Sequence, residues 1–359
     1  MIEKSNLRYN FNFIEKCNMC GSSIEQHKIL GKRLNGSQGR NPKNKIGITT
    51  TIVRCFNCGL IYSNPQPIPM DIQDHYGVPP EEYWKESYFV IDGHYFSNEI
   101  RKAKELICFK EGMKSLDIGA GLGKAMIAMS KAGFDAYGFE PSVQFHDRAV
   151  TKMGVNANKL RLGMIEHVDY PSNHFDFISF GAVLEHLCNP SDSIIKAMRW
   201  LKPNGIIHIE VPSSKWLINQ IINLYYKLIL TDYVGNLSPM HEPYHLYEFG
   251  LKSFQEHARN NRYEVALHEY YVCQTFMPKI LDRILKPFME QTKTGMQLCV
   301  WLRKPETALS TIPAIPSRRT LVPSRRFCQH VTMTPLRSRP NAGLTNFVAS
   351  FQRAIFASE

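Results

Sequence analysis

The 359-residue sequence predicts an α/β protein with a doubly wound sheet and a small cysteine-bearing unit ahead of it. Strand and helix signals alternate from Lys114 to Leu302, a pattern typical of parallel sheets with helices on both faces. One strand signal runs directly into a glycine-rich loop that opens a helix. Two matching C-x-x-C-G turns lie near the amino end. These observations predict one unit with a large core and one small unit.

Composition and charge narrow the class of protein. Hydrophobic residues make up 43% and charged residues 21%, which excludes a wholly disordered, collagenous or coiled-coil chain. The formal net charge is +11, but nine Lys and Arg against two Asp and Glu lie within residues 303–359. The rest of the chain has 34 basic and 30 acidic residues. This excess is too small for a large phosphate-binding surface, so nucleic acid is not an expected partner.

No targeting or transmembrane segment is predicted. Residues 1–16 carry five charged side chains and no continuous apolar core. The most apolar stretch, residues 216–230, is interrupted by polar side chains and is too short to span about 30 Å of hydrocarbon. Four of the nine cysteines form two pairs and five are scattered, which is typical of a reducing compartment. We therefore expect a cytoplasmic protein.

The first unit, residues 1–66, is predicted to bind zinc. Cys17 with Cys20, and Cys55 with Cys58, are each followed by glycine and resemble the two knuckles of a zinc ribbon. Four thiolates close a tetrahedron around Zn²⁺ and leave no open position, so the ion is expected to be structural. The alternative is redox chemistry at one pair. It requires a pair that opens a helix in a thioredoxin-like setting, and neither pair has that context.

Residues 67–112 are predicted to form an aromatic linker and a lead-in helix. The helix is expected to begin with Ser97 as its N-cap and to end near Gly112. We expect its aromatic side chains either to form a lid or to pack in the core. They are Tyr76, Tyr83, Trp84, Tyr88, Phe89, Tyr95 and Phe96.

Residues 113–304 are predicted to form the large sheet and its helices. Strand signals cover residues 115–118, 136–139, 175–180, 206–211, 263–271 and 296–302. Helix signals cover residues 124–132, 142–153, 191–201, 215–230 and 252–260. The helix over 215–230 has Asn219, Asn223 and Lys227 in one row and a wide apolar face. We expect that face to pack as core or cap. Docking on a membrane surface is the alternative, which the small basic charge of the row disfavours.

The last segment, residues 305–359, is predicted to be a disordered basic tail. It contains six prolines and seven arginines but no lysine, and periodic apolar positions are missing. Attraction to RNA or a membrane is one alternative reading of the arginines. The abrupt change in residue usage also fits a frame-shifted end.

The loop after the first strand of the large sheet predicts the cofactor. Asp117 precedes a G-x-G-x-G run, Gly119, Gly121 and Gly123, at a helix start where backbone N–H groups can face a ligand. A dinucleotide fingerprint would place its third glycine at position 124, which is a lysine here. The Asp117 carboxylate would repel a pyrophosphate but suits the sulfonium and ammonium groups of S-adenosylmethionine. Glu140 ends the next strand and can accept hydrogen bonds from both ribose hydroxyls.

The chain resembles a class I methyltransferase dependent on S-adenosylmethionine, in the bacterial group with an N-terminal zinc-ribbon segment. The resemblance runs from about Cys17 to about Lys304. Its further motifs are Gly163-Met164-Ile165-Glu166, Phe175-Asp176-Phe177-Ile178, Val183-Leu184-Glu185-His186-Leu187, Leu201-Lys202-Pro203-Asn204-Gly205 and Glu210-Val211-Pro212. One departure is Asn204, where the family usually has Gly, and Asn tolerates a left-handed backbone. The resemblance implies a Rossmann-like doubly wound sheet of seven strands.

The resemblance also implies which residues contact the cofactor. Asp117 and the three glycines line the methionine part, Glu140 the ribose, and Ile165 with Glu166 the adenine edge. The alternative reading is a tight strand-to-helix turn for the glycines and a solvated strand end for Glu140.

The acceptor side is expected at residues 240–249, where the family has a similar segment of histidine and aromatic residues. Methyl transfer to a hydroxyl needs a base, and His241 and His245 are the best placed candidates. Either histidine could instead cap or pack the loop. Glu185 and His186, after the fourth strand, are further candidates without an assigned role.

The sequence thus predicts methyl transfer from S-adenosylmethionine to a small-molecule acceptor, and the resemblance implies a sugar or a related biosynthetic metabolite. Methylation of RNA or protein is one alternative, and NAD-dependent oxidoreduction is the other. Neither the acceptor atom nor the oligomeric state is predicted.

Overall fold

The computed structural model describes residues 9–34, 49–70, 85–240, 244–273, 275 and 279–306. His241, Tyr76, Tyr83, Trp84 and nearly all of the predicted tail lie outside these residues. The elements in chain order are β1 (Tyr9–Asn12), β2 (His27–Leu34), β3 (Thr49–Cys55), β4 (Ile61–Ser63), β5 (Gln66–Pro69), α1 (Ser97–Ile107), β6 (Lys114–Ile118), α2 (Lys124–Lys131), β7 (Asp135–Glu140), α3 (Val143–Thr151), β8 (Leu160–Leu162), β9 (Phe175–Gly181), α4 (Pro190–Trp200), β10 (Leu201–Pro212), α5 (Leu217–Leu228), β11 (Tyr247–Glu248), α6 (Leu251–Asn261), β12 (Glu264–Tyr271), α7 (Lys279–Thr292) and β13 (Gln297–Arg303).

The larger sheet has seven strands in the order β12-β13-β10-β9-β6-β7-β8. The five strands from β8 to β10 are parallel, whereas β13 runs antiparallel to both of its neighbours. This mixed α/β sheet has the strand number expected for a class I methyltransferase. β9 at its centre is buried from Phe175 to Phe180, because a strand covered by helices on both faces needs an almost continuous apolar run.

Local sequence signals explain several of the element ends. Ser142 caps α3 by accepting a hydrogen bond from the backbone N–H of Phe145, and Asn189 caps α4 in the same way. The turn at Asn204 adopts a φ of 62°, as expected for an asparagine that replaces glycine. The predicted cap at Ser97 is wrong, because Ser97 is the first residue of α1. Phe96, with a φ of 59°, precedes the helix without a side-chain cap.

The lead-in helix α1 is also shorter than expected. It ends at Ile107 rather than near Gly112, because Cys108 takes a left-handed conformation with a φ of 51°. Among the described residues, none of the helices has the length and apolar character needed to cross a bilayer.

A second sheet has four strands in the order β11-β4-β3-β2. Its edge strand β11 comes from far along the chain, with Tyr247 opposite Tyr62 and Glu248 opposite Ile61. Buried residues of the cysteine unit, including Cys17 and Tyr62, belong to the same apolar cluster as Leu116 and Phe180 of the large sheet. The cysteine unit therefore packs against the sheet that holds the candidate site.

Candidate active site

The glycine loop joins β6 to α2 at the carboxyl edge of the parallel strands. Gly119, Gly121 and Gly123 have φ values of +69°, +53° and +73°, a region that disfavours residues with a side chain. A Cβ at Gly119 would lie 2.7 Å from Val183, and one at Gly123 would lie 2.6 Å from Val155. A Cβ at Gly121 would meet nothing within 4 Å. The first and third glycines are thus required by packing as well as by conformation, and the second by conformation alone.

Glu140, at the end of β7, is hydrogen-bonded to this loop. Its Oε2 accepts a hydrogen bond from the backbone N–H of Gly121, and its Oε1 accepts one from that of Ser142, each at 2.8 Å. The side chain is buried, and burial raises its pKa to about 7 although both backbone bonds favour the charged form. Glu140 is therefore not a solvated strand end.

Asp117 is a second buried carboxyl group at the same edge. Burial raises its pKa to about 7, and the nearby charge of Glu140 acts in the same direction. In the absence of a cation the two groups disfavour each other's ionisation. A positively charged ligand beside them would lower both pKa values.

A cavity of about 260 Å³ opens beside Glu140. Five of the seven predicted cofactor residues line it, namely Gly119, Gly121, Glu140, Ile165 and Glu166, whereas Asp117 and Gly123 do not. The lining also includes Phe145, which no motif indicated, and Met164, Val183 and Leu187, which lie in sequence motifs but had no predicted role in binding. Most of the wall is apolar and only a few polar side chains line it, which suits a purine ring attached to a ribose.

Two histidines lie close to a buried glutamate beside the cavity. His186, which also lines the cavity, and His245 each place Nε2 3.9 Å from Oε1 of Glu185. Their ring centroids lie 5.0 Å apart. Burial lowers the pKa of His186 to about 4, so this imidazole is neutral at neutral pH. The structure thus brings together His245 and the Glu185-His186 pair, while His241 lies outside the described residues.

The four paired cysteines converge on one point. Their Sγ atoms lie within 4.8 Å of one another, with 3.5 Å between Cys17 and Cys58 and 3.6 Å between Cys20 and Cys55. A tetrahedral zinc ion with Zn–S bonds of about 2.3 Å separates its sulfurs by about 3.8 Å, so the four thiols fit this ion.

The two cysteine turns have the same backbone geometry. The N–H groups of Gly21 and Gly59 donate to the carbonyl oxygens of Cys17 and Cys55, at 2.8 and 2.9 Å. Both glycines have a φ above 70°, which explains why each pair is followed by glycine.

A hydrogen-bond chain connects the cysteine unit with the cavity. Asn18, inside the first cysteine pair, donates from Nδ2 to the hydroxyl of Tyr247 at 2.5 Å. That hydroxyl donates to the carbonyl oxygen of Cys188 at 2.9 Å, and Cys188 lines the cavity. Ser253 at the start of α6 donates to the carbonyl oxygen of Cys58. The cysteine unit therefore buttresses both the cavity and the segment that carries His245.

Comparisons with known proteins identify relatives of the large unit. A curated ubiquinone biosynthesis O-methyltransferase of Rhodopseudomonas palustris is 28% identical over 120 residues, which are 32% of this chain and 46% of that protein. An uncharacterized methyltransferase of Schizosaccharomyces pombe is 29% identical over 109 residues, 27% of this chain and 39% of that protein. The chain thus spans about half the length, or less, of these curated relatives.

Solved structures give matches at low identity. A methyltransferase dependent on S-adenosylmethionine from Archaeoglobus fulgidus aligns with 63% of this chain and all of its own chain, at 14% identity and a TM-score of 0.43. A family model described as a methyltransferase domain matches residues 93–286, which include the glycine loop, the cavity walls and the Glu185-His186 pair. Because this match covers more than half of the 359 residues, the chain belongs to that methyltransferase-domain family.

Proposed function

We propose that the protein transfers the methyl group of S-adenosylmethionine to a hydroxyl of a small-molecule acceptor, a sugar or a related biosynthetic metabolite. The observation that carries the proposal is the buried Glu140 between the glycine loop and the apolar cavity. When bound, the cofactor supplies an electrophilic methyl group on a sulfonium. The protein contributes binding, orientation and a place for the acceptor's proton.

The charges around the glycine loop favour this cofactor over NAD. Asp117 and Glu140 are buried close together, and burial already makes ionisation of both carboxyl groups unfavourable. A pyrophosphate beside them would add further negative charge. A sulfonium instead offsets their charge. Glu140 keeps acceptor capacity for ribose hydroxyls, since each carboxylate oxygen can accept more than one hydrogen bond.

We propose His245 or His241 as the base that takes the acceptor's proton. His245 lies beside His186, a cavity residue, and therefore at the same edge as the cofactor cavity. The Glu185 carboxyl group can orient the imidazole and stabilise the charge that it gains on protonation. His186 is less suited to this role, because burial depresses its pKa to about 4.

The small-molecule acceptor is supported by the family resemblance and by the relatives named as ubiquinone biosynthesis O-methyltransferases. The weak positive charge of the chain before residue 303 disfavours RNA as the acceptor.

We also propose one structural Zn²⁺ held by Cys17, Cys20, Cys55 and Cys58. Four thiolates would leave it no position for a substrate. We also propose a cytoplasmic location, on the cysteine usage of the sequence, which has two pairs and five scattered cysteines.

The test combines cofactor binding with methyl transfer. Calorimetry with S-adenosylmethionine, S-adenosylhomocysteine and NAD should show binding of the first two only. Incubation of the protein with methyl-labelled cofactor and panels of sugars, nucleotide sugars and phenolic metabolites should label an acceptor in one panel. Tight binding of NAD, or label found only in RNA or protein, would overturn the proposal.

A further inference from the structure

The outward face of α5 is apolar. Ile221, Leu224 and Leu228 recur along one side of the helix and are exposed to solvent, Leu228 by 72%. Ile229 and Leu230, directly after the helix, are exposed as well, Leu230 by 94%. Contiguous apolar surface of this kind marks an interaction site more often than a chance arrangement.

The inward face of α5 holds the asparagine row. Asn219 is buried and donates to Glu248 at 3.4 Å. Asn223 donates to Asn236 at 2.7 Å and accepts from the backbone N–H of Gly235 at 2.6 Å. These bonds fix the rotation of the helix about its axis. The expectation that its wide apolar face packs as core is therefore correct only for the side of Ile218 and Ile222.

The helix α7 packs beside α5 and has an exposed apolar row of its own. Its buried Met289 packs on Ile218 and Ile222, and the backbone N–H of Leu217 donates to the carbonyl oxygen of Thr294 just after α7. On its outer side α7 exposes Ile280, Leu281, Ile284 and Phe288, Ile284 by 70%. We call the exposed apolar residues of α5 and α7, with Ile229 and Leu230, the apolar face.

The charges around the apolar face are mostly positive. Lys215, Lys227, Arg283 and Lys293 are exposed, against an exposed Glu290. The other acidic residues there are paired, Asp282 with Lys286 and Asp232 with Lys32. An apolar surface with a basic rim complements a bilayer that contains anionic lipids. A second copy of the chain would instead place these positive charges opposite one another.

We propose that the apolar face docks on the surface of a bilayer that contains anionic lipids. The leucine and isoleucine side chains enter the boundary between headgroups and acyl chains, and the basic residues contact lipid phosphates. α5 begins beside the acceptor segment, since the N–H of Ser214 donates to the carbonyl oxygen of Phe249 at 2.8 Å. Docking would therefore hold the acceptor side of the sheet near the lipid surface.

The experiment is sedimentation of the full chain with vesicles of phosphatidylcholine, alone or mixed with phosphatidylglycerol. We expect binding to the mixed vesicles that weakens with added salt. Replacing Leu228 and Ile284 together by serine should lower the partition coefficient at least about tenfold, because two apolar side chains no longer enter the lipid boundary. The melting temperature should stay unchanged because both residues are exposed.

The matched control is Val90→Ser, at a residue that is 68% exposed and lies outside the apolar face. This variant should bind vesicles like the unchanged protein. Failure of the unchanged protein to bind mixed vesicles would overturn the proposal. It would also be overturned if the Leu228 and Ile284 variant bound normally, or if that variant converted a dimer into a monomer in sedimentation without any change in vesicle binding.

Discussion

Replacing Glu140 by glutamine is expected to weaken cofactor binding and to loosen the glycine loop. Each carboxylate oxygen of Glu140 accepts one backbone N–H, from Gly121 or from Ser142. Glutamine keeps the size of the side chain but has a single acceptor oxygen, so its amide NH₂ must face one of the two donors. The variant loses one charge-assisted hydrogen bond and leaves one buried N–H without its partner.

The expected change in Kd comes from the ribose, because a backbone N–H occupies the one oxygen of the amide and the charged acceptor that we propose for the ribose hydroxyls is lost. A hydrogen bond to a charged group contributes about 1.5–3 kcal/mol, and about 1.4 kcal/mol changes Kd tenfold. We therefore expect the Kd values of S-adenosylmethionine and S-adenosylhomocysteine to rise by roughly 10- to 150-fold. Both ligands carry the same ribose, so the ratio of their Kd values should stay constant.

Calorimetry at about pH 8, where the Glu140 carboxylate is ionised, measures both Kd values. The control is Glu105→Gln, at an exposed residue of α1 whose ion pair with Arg101 is remote from the cavity. Unchanged affinity of the Glu140 variant for both ligands would refute the reasoning. A loss for S-adenosylmethionine alone would mean that Glu140 acts on the sulfonium and not on the ribose.

Four further predictions follow from the same geometry. His245→Ala should lower kcat by about 10²- to 10⁴-fold in a methyl-transfer assay with cofactor affinity retained, and normal turnover would make His245 a packing residue. Elemental analysis should find one zinc per chain, and Cys20→Ser should lose the metal and lower the melting temperature; a chain purified without chelator that holds no zinc would contradict this. The folded protein holds the protons of Asp117 and Glu140 more tightly than the unfolded chain, because burial raises both pKa values to about 7 from 3.8 and 4.5. Without ligand, the free energy of unfolding measured in urea should therefore fall as pH rises from about 4 to about 7, while the affinity for S-adenosylmethionine rises through pH 7. If neither quantity changed with pH, the raised pKa values would be excluded. Truncation after Glu306 should keep the melting temperature and cofactor affinity, because Lys304 already donates to the carbonyl oxygens of Met198 and Leu201; a large drop would show that residues 307–359 support the fold.

Much of the candidate site is readable from the sequence because it is encoded locally. The glycine loop, Glu140 and the two cysteine pairs are short motifs. Their residue types follow from local requirements, namely positive φ angles, hydrogen-bond acceptors and metal ligands. β8 and β11 were not predicted, because three-residue and two-residue strands carry too little periodicity to detect. β11 also depends on pairing with a strand far away in the chain.

Other features required the three-dimensional contacts. Periodicity shows that α5 has a polar row and an apolar face, but only the bonds of Asn219 and Asn223 show that the two asparagines of the row face inward, whereas Lys227 is exposed. α7 contains Pro287, and no helix was predicted there. The sequence analysis treated His245 and the Glu185-His186 pair as separate candidates. Only the fold shows that they are in contact.

The pairing of β4 with β11 bears on the order in which parts of this chain can fold. Asn18 and Tyr247 are 229 positions apart, and Cys58 and Ser253 are 195 positions apart. Contacts of such long range form late, because closing a long loop costs entropy before any contact repays it. During synthesis the amino-terminal unit leaves the ribosome first, yet its sheet lacks an edge strand until residues 247–248 have followed. The edge strand of the amino-terminal sheet therefore comes from the same segment that we propose to carry the catalytic base.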